Sequence, residues 1–159
     1  MSSQVPADVE VASAVPRMLR ERGQTVGCAE SLTGGELAAT LSGPAGSSAV
    51  FAGAVVSYAT EVKRSLLGVT ASHVVSAECA VQMAVGVRDL LRVDWALATT
   101  GVAGPDRQED QPVGTVHLGI AGPSGARSVQ LALEGDRSSI RRAACAGALH
   151  LLFTELGDG

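Results

Sequence analysis

The sequence is poor in aromatic residues and in lysine. Aromatic side chains make up 3% of the 159 residues, and lysine occurs only at position 63, against eleven arginines. So few aromatic rings predict a core of aliphatic side chains. Glycine is abundant, at 19 residues, which indicates backbones that approach one another closely.

Several classes of protein are excluded by other absences. No apolar run approaches the roughly 20 residues needed to cross a bilayer. The start, Met-Ser-Ser-Gln-Val-Pro, lacks the basic and apolar regions of a signal peptide. A net charge of −4 argues against a nucleic-acid surface, which needs a basic stripe. We therefore expect a cytoplasmic protein without membrane or nucleic-acid partners.

Paired cysteine motifs are also missing. Cys28, Cys79 and Cys145 are far apart and have neither zinc-site nor redox-motif spacing. We expect buried thiols in a reducing cytoplasm, no metal site and no cofactor.

Hydrophobic patterning indicates an α/β fold. Five runs have strand character, at residues 25–30, 49–58, 94–99, 113–121 and 128–133. The run 49–58 is almost continuously apolar, which is typical of a strand covered on both faces. Helical patterns alternate with the early strands, and the segment Gly122–Gly125 is a hairpin signal between the last two. We predict a single three-layer α/β/α domain, residues 8–156, with a mixed sheet of about five strands, after a disordered lead-in, residues 1–7.

The stretch Thr25–Glu36 carries the strongest chemical signal. It begins as a strand and ends in two glycines, and the capping-box spacing of Thr33 and Glu36 predicts a helix that begins at Thr33. Ser31 then lies between strand and helix, where a hydroxyl can face a crevice lined by free N–H groups. Ser31 is therefore a candidate nucleophile; the alternative is a turn serine that satisfies local backbone.

A serine nucleophile needs a base. The three histidines lie in a connection, a strand and a terminal helix, which gives a Ser–His–Asp triad little support. Lys63 is the better candidate, because burial can lower a lysine pKa toward neutrality whereas arginine cannot lose its proton. The alternative is a solvated lysine on a short helix.

Five motifs occur in order along the chain: Thr25–Glu36, Gly43–Ser48, Ser57–Lys63, Thr100–Pro105 and Pro112–Thr115. Together they closely resemble the C-terminal domain of the competence/damage-inducible protein CinA, from Val9 to Leu152. That family includes stand-alone nicotinamide-nucleotide amidohydrolases. The resemblance implies the same α/β fold and a nucleotide substrate, nicotinamide mononucleotide, deamidated to nicotinate mononucleotide and ammonia. Serine–lysine chemistry is what the residues themselves support.

The resemblance also places Tyr58, the only tyrosine, in the active-site region with Lys63. We expect its hydroxyl to bond Ser31 or Lys63 and to relay the proton; the alternative is a strand-end tyrosine whose hydroxyl lies in water.

Further candidates would bind the substrate. Oxyanion donors are expected from two glycine-containing segments: Thr33, Gly34 and Gly35, or Thr100, Gly101, Ala103 and Gly104. Phosphate ligands are expected from a loop and from two arginines one helical turn apart: Gly46, Ser47, Ser48, Arg137 and Arg141. Each of these is also a candidate cap or surface pair. Glu30 could orient Lys63, bind ribose or take part in a structural hydrogen-bond network.

Two departures from the family pattern leave a rival hypothesis open. Leu32 replaces the usual second cysteine of the serine motif, and residues 106–111 are charged where glycines are common. The second departure favours a non-catalytic nucleotide-binding or protein-interaction module. Apolar strands in so small a domain are in addition compatible with a homo-oligomer.

Overall fold

A five-stranded mixed sheet lies between two layers of helices in the computed structural model, which describes residues 7–159. The strands are β1 Val26–Glu30, β2 Phe51–Val56, β3 Trp95–Gly101, β4 Thr115–Gly122 and β5 Gly125–Ala132. The helices are α1 Asp8–Arg22, α2 Glu36–Ser42, α3 Thr60–Leu67, α4 Ala77–Leu91 and α5 Arg137–Gly157. The predicted α/β class and strand number are confirmed.

The strand order is β2-β1-β3-β4-β5, with β1, β2 and β3 parallel and β4 and β5 antiparallel. Pro123 and Ser124 form the turn of the predicted hairpin, since Gly122 pairs with Gly125. Helices α1, α2 and α5 cover one face of the sheet, and α4, with α3 beside it, covers the other. Both cores are mainly aliphatic, as the scarcity of aromatic residues predicted.

The chain runs from β1 to β2 on one side and then returns across β1 to β3 on the other side, so β1 lies between two parallel neighbours. In open α/β sheets this arrangement leaves a crevice at the carboxyl ends of the strands, and ligands bind there. Ser31 directly follows β1 at this position.

One helix begins later than its sequence predicts. Helix α2 begins at Glu36, not at Thr33, because Gly34 and Gly35 have φ values of 56° and 105°, outside the right-handed helical region. Ser76, in contrast, caps α4 as its side chain suggests, and accepts a hydrogen bond from the Cys79 N–H. Asp136 caps α5 in the same way.

Strand β2 lies at the edge of the sheet and is covered less completely than predicted: Phe51 and Ala54 pack against one core and Val55 against the other. Ala52 and Val56 are exposed, and the rest of the strand is half-buried.

Two predictions concern the ends and the environment of the chain. Of the predicted lead-in, residues 1–6 lie outside the described residues, and Ala7 immediately precedes α1. Within residues 7–159, no helix has the length and apolar character required to span a bilayer.

Candidate active site

A cleft opens where the carboxyl ends of the three parallel strands meet. Ser31 follows β1, Ser57 and Tyr58 follow β2, and Gly101 ends β3. The volume of the cleft is ≈ 130 Å³. Its lining comprises Ser31, Leu32, Tyr58, Thr60, Lys63, Val74, Val75, Thr100, Gly101, Val102, Ala103, Gly104, Asp106, Gln108 and Arg137.

Ser31 and Lys63 meet in this cleft. The Nζ atom of Lys63 lies 2.9 Å from Ser31 Oγ, although the residues are 32 positions apart in sequence. Lys63 is 2% exposed, and burial lowers its pKa below the ordinary value of 10.5. The smaller effects of Cys79 and Glu109 act in the opposite direction. The expected approach of serine and lysine across one crevice is confirmed.

Two backbone carbonyls hold the amine of Lys63. Its Nζ atom donates to the carbonyl of Ser57 at 2.7 Å and to that of Tyr58 at 3.3 Å. Within residues 7–159, no carboxylate lies within ion-pair distance of this amine. The site therefore positions Lys63 without a directly paired counter-ion, and the effect of Glu109 on its pKa is smaller than that of burial.

The carboxylate of Glu30 anchors the turn that carries Ser31. Its two oxygens accept the N–H groups of Leu37 at 2.8 Å and Ala38 at 3.0 Å, and the residue is fully buried. Of the three roles considered for Glu30, the structural network is the one found. The proposed contact with substrate is wrong, because Glu30 has no surface in the cleft and its oxygens already cap α2.

The remaining contacts of the turn are also internal. The Gly34 N–H donates to the Ser31 carbonyl, and the Glu36 N–H donates to that of Thr33. The Thr33 hydroxyl lies 2.7 Å from the Thr99 hydroxyl and is buried. Thr33, Gly34 and Gly35 shape the turn but do not line the cleft.

Arg141 holds the same turn from α5. Its guanidinium donates to the carbonyls of Leu32 at 2.9 Å and Thr33 at 3.1 Å, and lies 4.0 Å from Glu36. The predicted phosphate contact is not supported here, because Arg141 is directed at backbone and does not line the cleft.

Arg137 and Tyr58 form the outer rim of the cleft. The guanidinium of Arg137 donates to the Tyr58 hydroxyl at 2.9 Å and to the Gly104 carbonyl at 2.7 Å. Tyr58 is 58% exposed. The expected bond from its hydroxyl to Ser31 or Lys63 is therefore wrong: only its backbone carbonyl reaches Lys63, while its ring points outward to α5.

Residues 8–156 match the family model of the CinA C-terminal domain. The chain belongs to this family. A CinA-like protein from Frankia casuarinae is 49% identical over 169 residues, which cover 96% of this chain and 39% of that protein. A CinA-like protein from Acaryochloris marina is 41% identical over 94% of this chain and 38% of its own length. The chain thus spans about two fifths of the length of the curated relatives it matches.

Solved structures of the CinA superfamily have the same fold. A superfamily protein from Klebsiella pneumoniae matches with a TM-score of 0.91 and 32% identity, over 97% of this chain and 100% of that one. The competence/damage inducible protein CihA from Agrobacterium tumefaciens matches with a TM-score of 0.88 and 35% identity, over 98% and 99% of the two chains.

The loop Gly43–Ser48 of this CinA C-terminal domain lies away from the cleft. It precedes β2, and in a parallel sheet the segment before a strand is at the opposite edge from the segment after it. The predicted phosphate contacts of Gly46, Ser47 and Ser48 are therefore wrong. Ser47 is 3% exposed, and a Cβ atom at Gly46 would meet the guanidinium of Arg20 on α1.

The segment Thr100–Gly104 lines the cleft of the CinA domain. Thr100 and Gly101 belong to β3, and the Thr100 hydroxyl donates to the carbonyl of Val74. The N–H groups of Ala103 and Gly104 donate to no acceptor within residues 7–159. They are the free backbone donors nearest to the end of β3.

Sequence reasoning missed several residues of the cleft. Val74 and Val75 come from a connection without any motif, and Thr60 begins α3. Asp106 and Gln108 lie in the segment that departs from the family pattern. Their polar side chains were the sequence feature that could have predicted a place in the cleft. Within residues 7–159, no cluster of three or more potential metal-ligating side chains is present.

Proposed function

We propose that this CinA C-terminal domain is an amidohydrolase that deamidates nicotinamide mononucleotide to nicotinate mononucleotide and ammonia, with Ser31 as nucleophile and Lys63 as base. The substrate assignment depends on the family; the chemistry depends on the residues of the cleft. No metal or cofactor takes part in the proposed reaction.

The contact between Lys63 and Ser31 carries the proposal. A neutral amine has two N–H donors and one lone pair. Two carbonyls, of Ser57 and Tyr58, accept from the amine, and the third neighbour is the Ser31 hydroxyl. The neutral form of Lys63 can therefore donate to both carbonyls and accept the Ser31 proton. Burial, which lowers the pKa of Lys63, favours this form.

The reaction follows from this arrangement. Ser31 Oγ attacks the carboxamide carbon while its proton passes to Lys63 Nζ. Lys63 then donates this proton to the departing nitrogen, the C–N bond breaks and ammonia leaves an acyl ester on Ser31. Water attacks the ester and gives a proton to Lys63, and this proton passes to the Ser31 oxygen as nicotinate mononucleotide is released.

Two further parts of the cleft have proposed roles. The free N–H groups of Ala103 and Gly104 supply donors for the oxyanion, in place of Thr33, Gly34 and Gly35, which do not line the cleft. Arg137, at the exposed rim, binds the phosphate, and the Tyr58 ring forms the wall beside it. We retain Arg137 and not Arg141 for this role.

The proposal is tested by incubating the purified protein with nicotinamide mononucleotide and measuring ammonia and nicotinate mononucleotide. Ser31→Ala should abolish turnover while the fold, followed by circular dichroism, is retained. Ser65→Ala is the matched control, because Ser65 is an exposed serine on α3 outside the cleft. Equal turnover by Ser31→Ala and the parent would exclude Ser31 as the nucleophile.

The charged segment 106–111 is the observation that favours the second function, a non-catalytic nucleotide-binding or interaction module. Asp106 and Gln108 of this segment line the cleft. Binding of nicotinamide mononucleotide without release of ammonia would support this function. The homo-oligomer stays a prediction, which sedimentation of the purified protein can test.

A further inference from the structure

The segment 106–111, which departs from the family pattern, is joined to the segment 73–75 by the carboxylate of Glu109. Glu109 accepts the backbone N–H of Val75 at 2.6 Å and that of Val74 at 3.1 Å. His73 Nδ1 lies 3.6 Å from the same carboxylate and is mostly exposed. Glu109 thus binds two successive N–H groups of a segment that has no regular structure of its own.

Both joined segments form walls of the cleft. Val74 and Val75 line it from one segment, and Gly104, Asp106 and Gln108 line it from the loop. Other hydrogen bonds join each segment to different parts of the protein. The carbonyl of Val74 accepts from Thr100, and that of Gly104 accepts from Arg137. Within residues 7–159, the hydrogen bonds that join residues 106–111 directly to the segment 73–75 are those of Glu109.

The backbone of the loop is shaped so that this side chain can reach its partners. Glu109 and Asp110 have φ values of 50° and 60°, in the left-handed region that residues other than glycine seldom adopt. The loop is closed on itself by the Gln111 N–H, which donates to the Gln108 carbonyl, and by Arg107, which donates to the Asp110 carbonyl. The loop is thus held as a tight turn, with Glu109 directed at the neighbouring segment.

We propose that Glu109 is a positioning residue that fastens the 102–112 loop onto the segment 73–75 and thereby sets the width of the catalytic cleft. The charged loop is then a fixed wall of the site. Its kinetic consequence rests on the proposed function; the contact itself can be tested without turnover.

The test compares Glu109→Ala and Glu109→Gln with the parent by hydrogen exchange of the Val74 and Val75 amides, read by NMR. Glu109→Ala removes both acceptors, and both amides should exchange roughly 10- to 100-fold faster, as expected for lost hydrogen bonds to a charged group. Glu109→Gln keeps one acceptor oxygen and should give an intermediate rate.

Asp110→Asn is the matched control. It removes a negative charge from the adjacent exposed residue, which is also left-handed and whose side chain bonds no described residue. Exchange of the Val74 and Val75 amides should stay at the parent rate. Parent rates in Glu109→Ala, or the same acceleration in Asp110→Asn, would overturn the proposal. Thermal unfolding of each variant shows whether the fold is retained.

The kinetic readout separates this proposal from the proposed function. If nicotinamide mononucleotide is deamidated, kcat/KM should be highest in the parent, lower in Glu109→Gln and lowest in Glu109→Ala, where we expect a loss of roughly tenfold or more. A parent without turnover would refute the proposed function and leave the exchange result to decide the role of Glu109. Faster exchange with unchanged kcat/KM would show that the contact exists but does not set the cleft, which also overturns the proposal.

Discussion

Gly86 of α4 packs directly against the backbone of Leu67, the last residue of α3. A Cβ atom at Gly86 would clash with the Leu67 carbonyl oxygen and would lie 2.9 Å from its carbonyl carbon. Since these atoms belong to backbone, a larger side chain can be accommodated only if the helices move apart. Lys63 lies one helical turn before Leu67, so this contact fixes the position of Lys63 as well as that of the helix.

The first prediction is that Gly86→Ala destabilises the protein and lowers its activity. Overpacking at such a contact typically costs about 1–3 kcal/mol of unfolding free energy. Displacement of α3 should also move Lys63 from Ser31 and reduce turnover. Urea unfolding and ammonia release measure the two effects.

Gly157→Ala is the control for this substitution. It makes the same change in a helix, at a position with no neighbouring atom within 4 Å. We expect its stability to be unchanged or slightly raised, because alanine favours helix more than glycine does. A Gly86→Ala protein as stable as Gly157→Ala would contradict the close packing of α3 on α4.

The meeting of Ser31 and Lys63 was predictable from sequence because both follow strands that end at the same edge of a parallel sheet. Motif spacing identified those strand ends, and the chemistry of lysine singled out Lys63 as the candidate base. The position of Ser47 could also have been inferred, since the loop that contains it precedes β2 rather than following it.

Side-chain directions were less accessible to sequence reasoning. Glu30 is adjacent to Ser31, yet its carboxylate turns away to cap α2. Tyr58 is adjacent to the carbonyl that holds Lys63, yet its ring reaches Arg137, which is 79 positions away. The first direction depends on where α2 begins and the second on the position of α5, and no local pattern in the sequence specifies either.

The second prediction concerns the pKa of Lys63. Burial lowers it below 10.5, so turnover should rise as pH increases through this lowered value and the base loses its proton. Between the lowered pKa of Lys63 in the folded protein and its ordinary value of 10.5, the unfolded chain binds more protons than the folded one. The free energy of unfolding should therefore rise with pH over this range. Protein labelled at the lysine Cε carbon gives one side-chain signal, because Lys63 is the only lysine.

The midpoint of the pH titration of that NMR signal should lie below 10.5. It should also match the midpoint of the rise in kcat/KM on the acid side of the pH profile. A midpoint at or above the ordinary value would show that Lys63 is charged at neutral pH. Ser31 would then need another base.

The third prediction is that turnover survives prolonged treatment with a chelator. Both proposed reacting groups are side chains, and the oxyanion donors are backbone N–H groups, so no step depends on an ion. A zinc-dependent amidase treated in parallel confirms that chelation was effective. If activity is lost and then restored by zinc or magnesium, the reaction takes place by a different mechanism.

The last prediction separates the two proposed functions through Lys63→Arg. Arginine keeps the positive charge but cannot lose its proton near neutral pH. General-base assistance is typically worth about 10²–10⁴-fold, so ammonia release should fall by at least the lower figure. Affinity for nicotinamide mononucleotide, measured by calorimetry, should change far less. Arg64→Lys is the control, because it makes the reverse exchange at the next, exposed position of α3.

Opposite outcomes are expected if the domain only binds nucleotide. Lys63 would then interact with a ligand through its charge, arginine would replace it with little loss of affinity, and neither protein would release ammonia. The amine of Lys63 is buried and held by two carbonyls, and it has no carboxylate partner within residues 7–159. These contacts favour a role for Lys63 as a base over a role as a charged contact to the ligand. Near-normal turnover in Lys63→Arg would refute the serine–lysine mechanism, because guanidinium cannot accept the Ser31 proton.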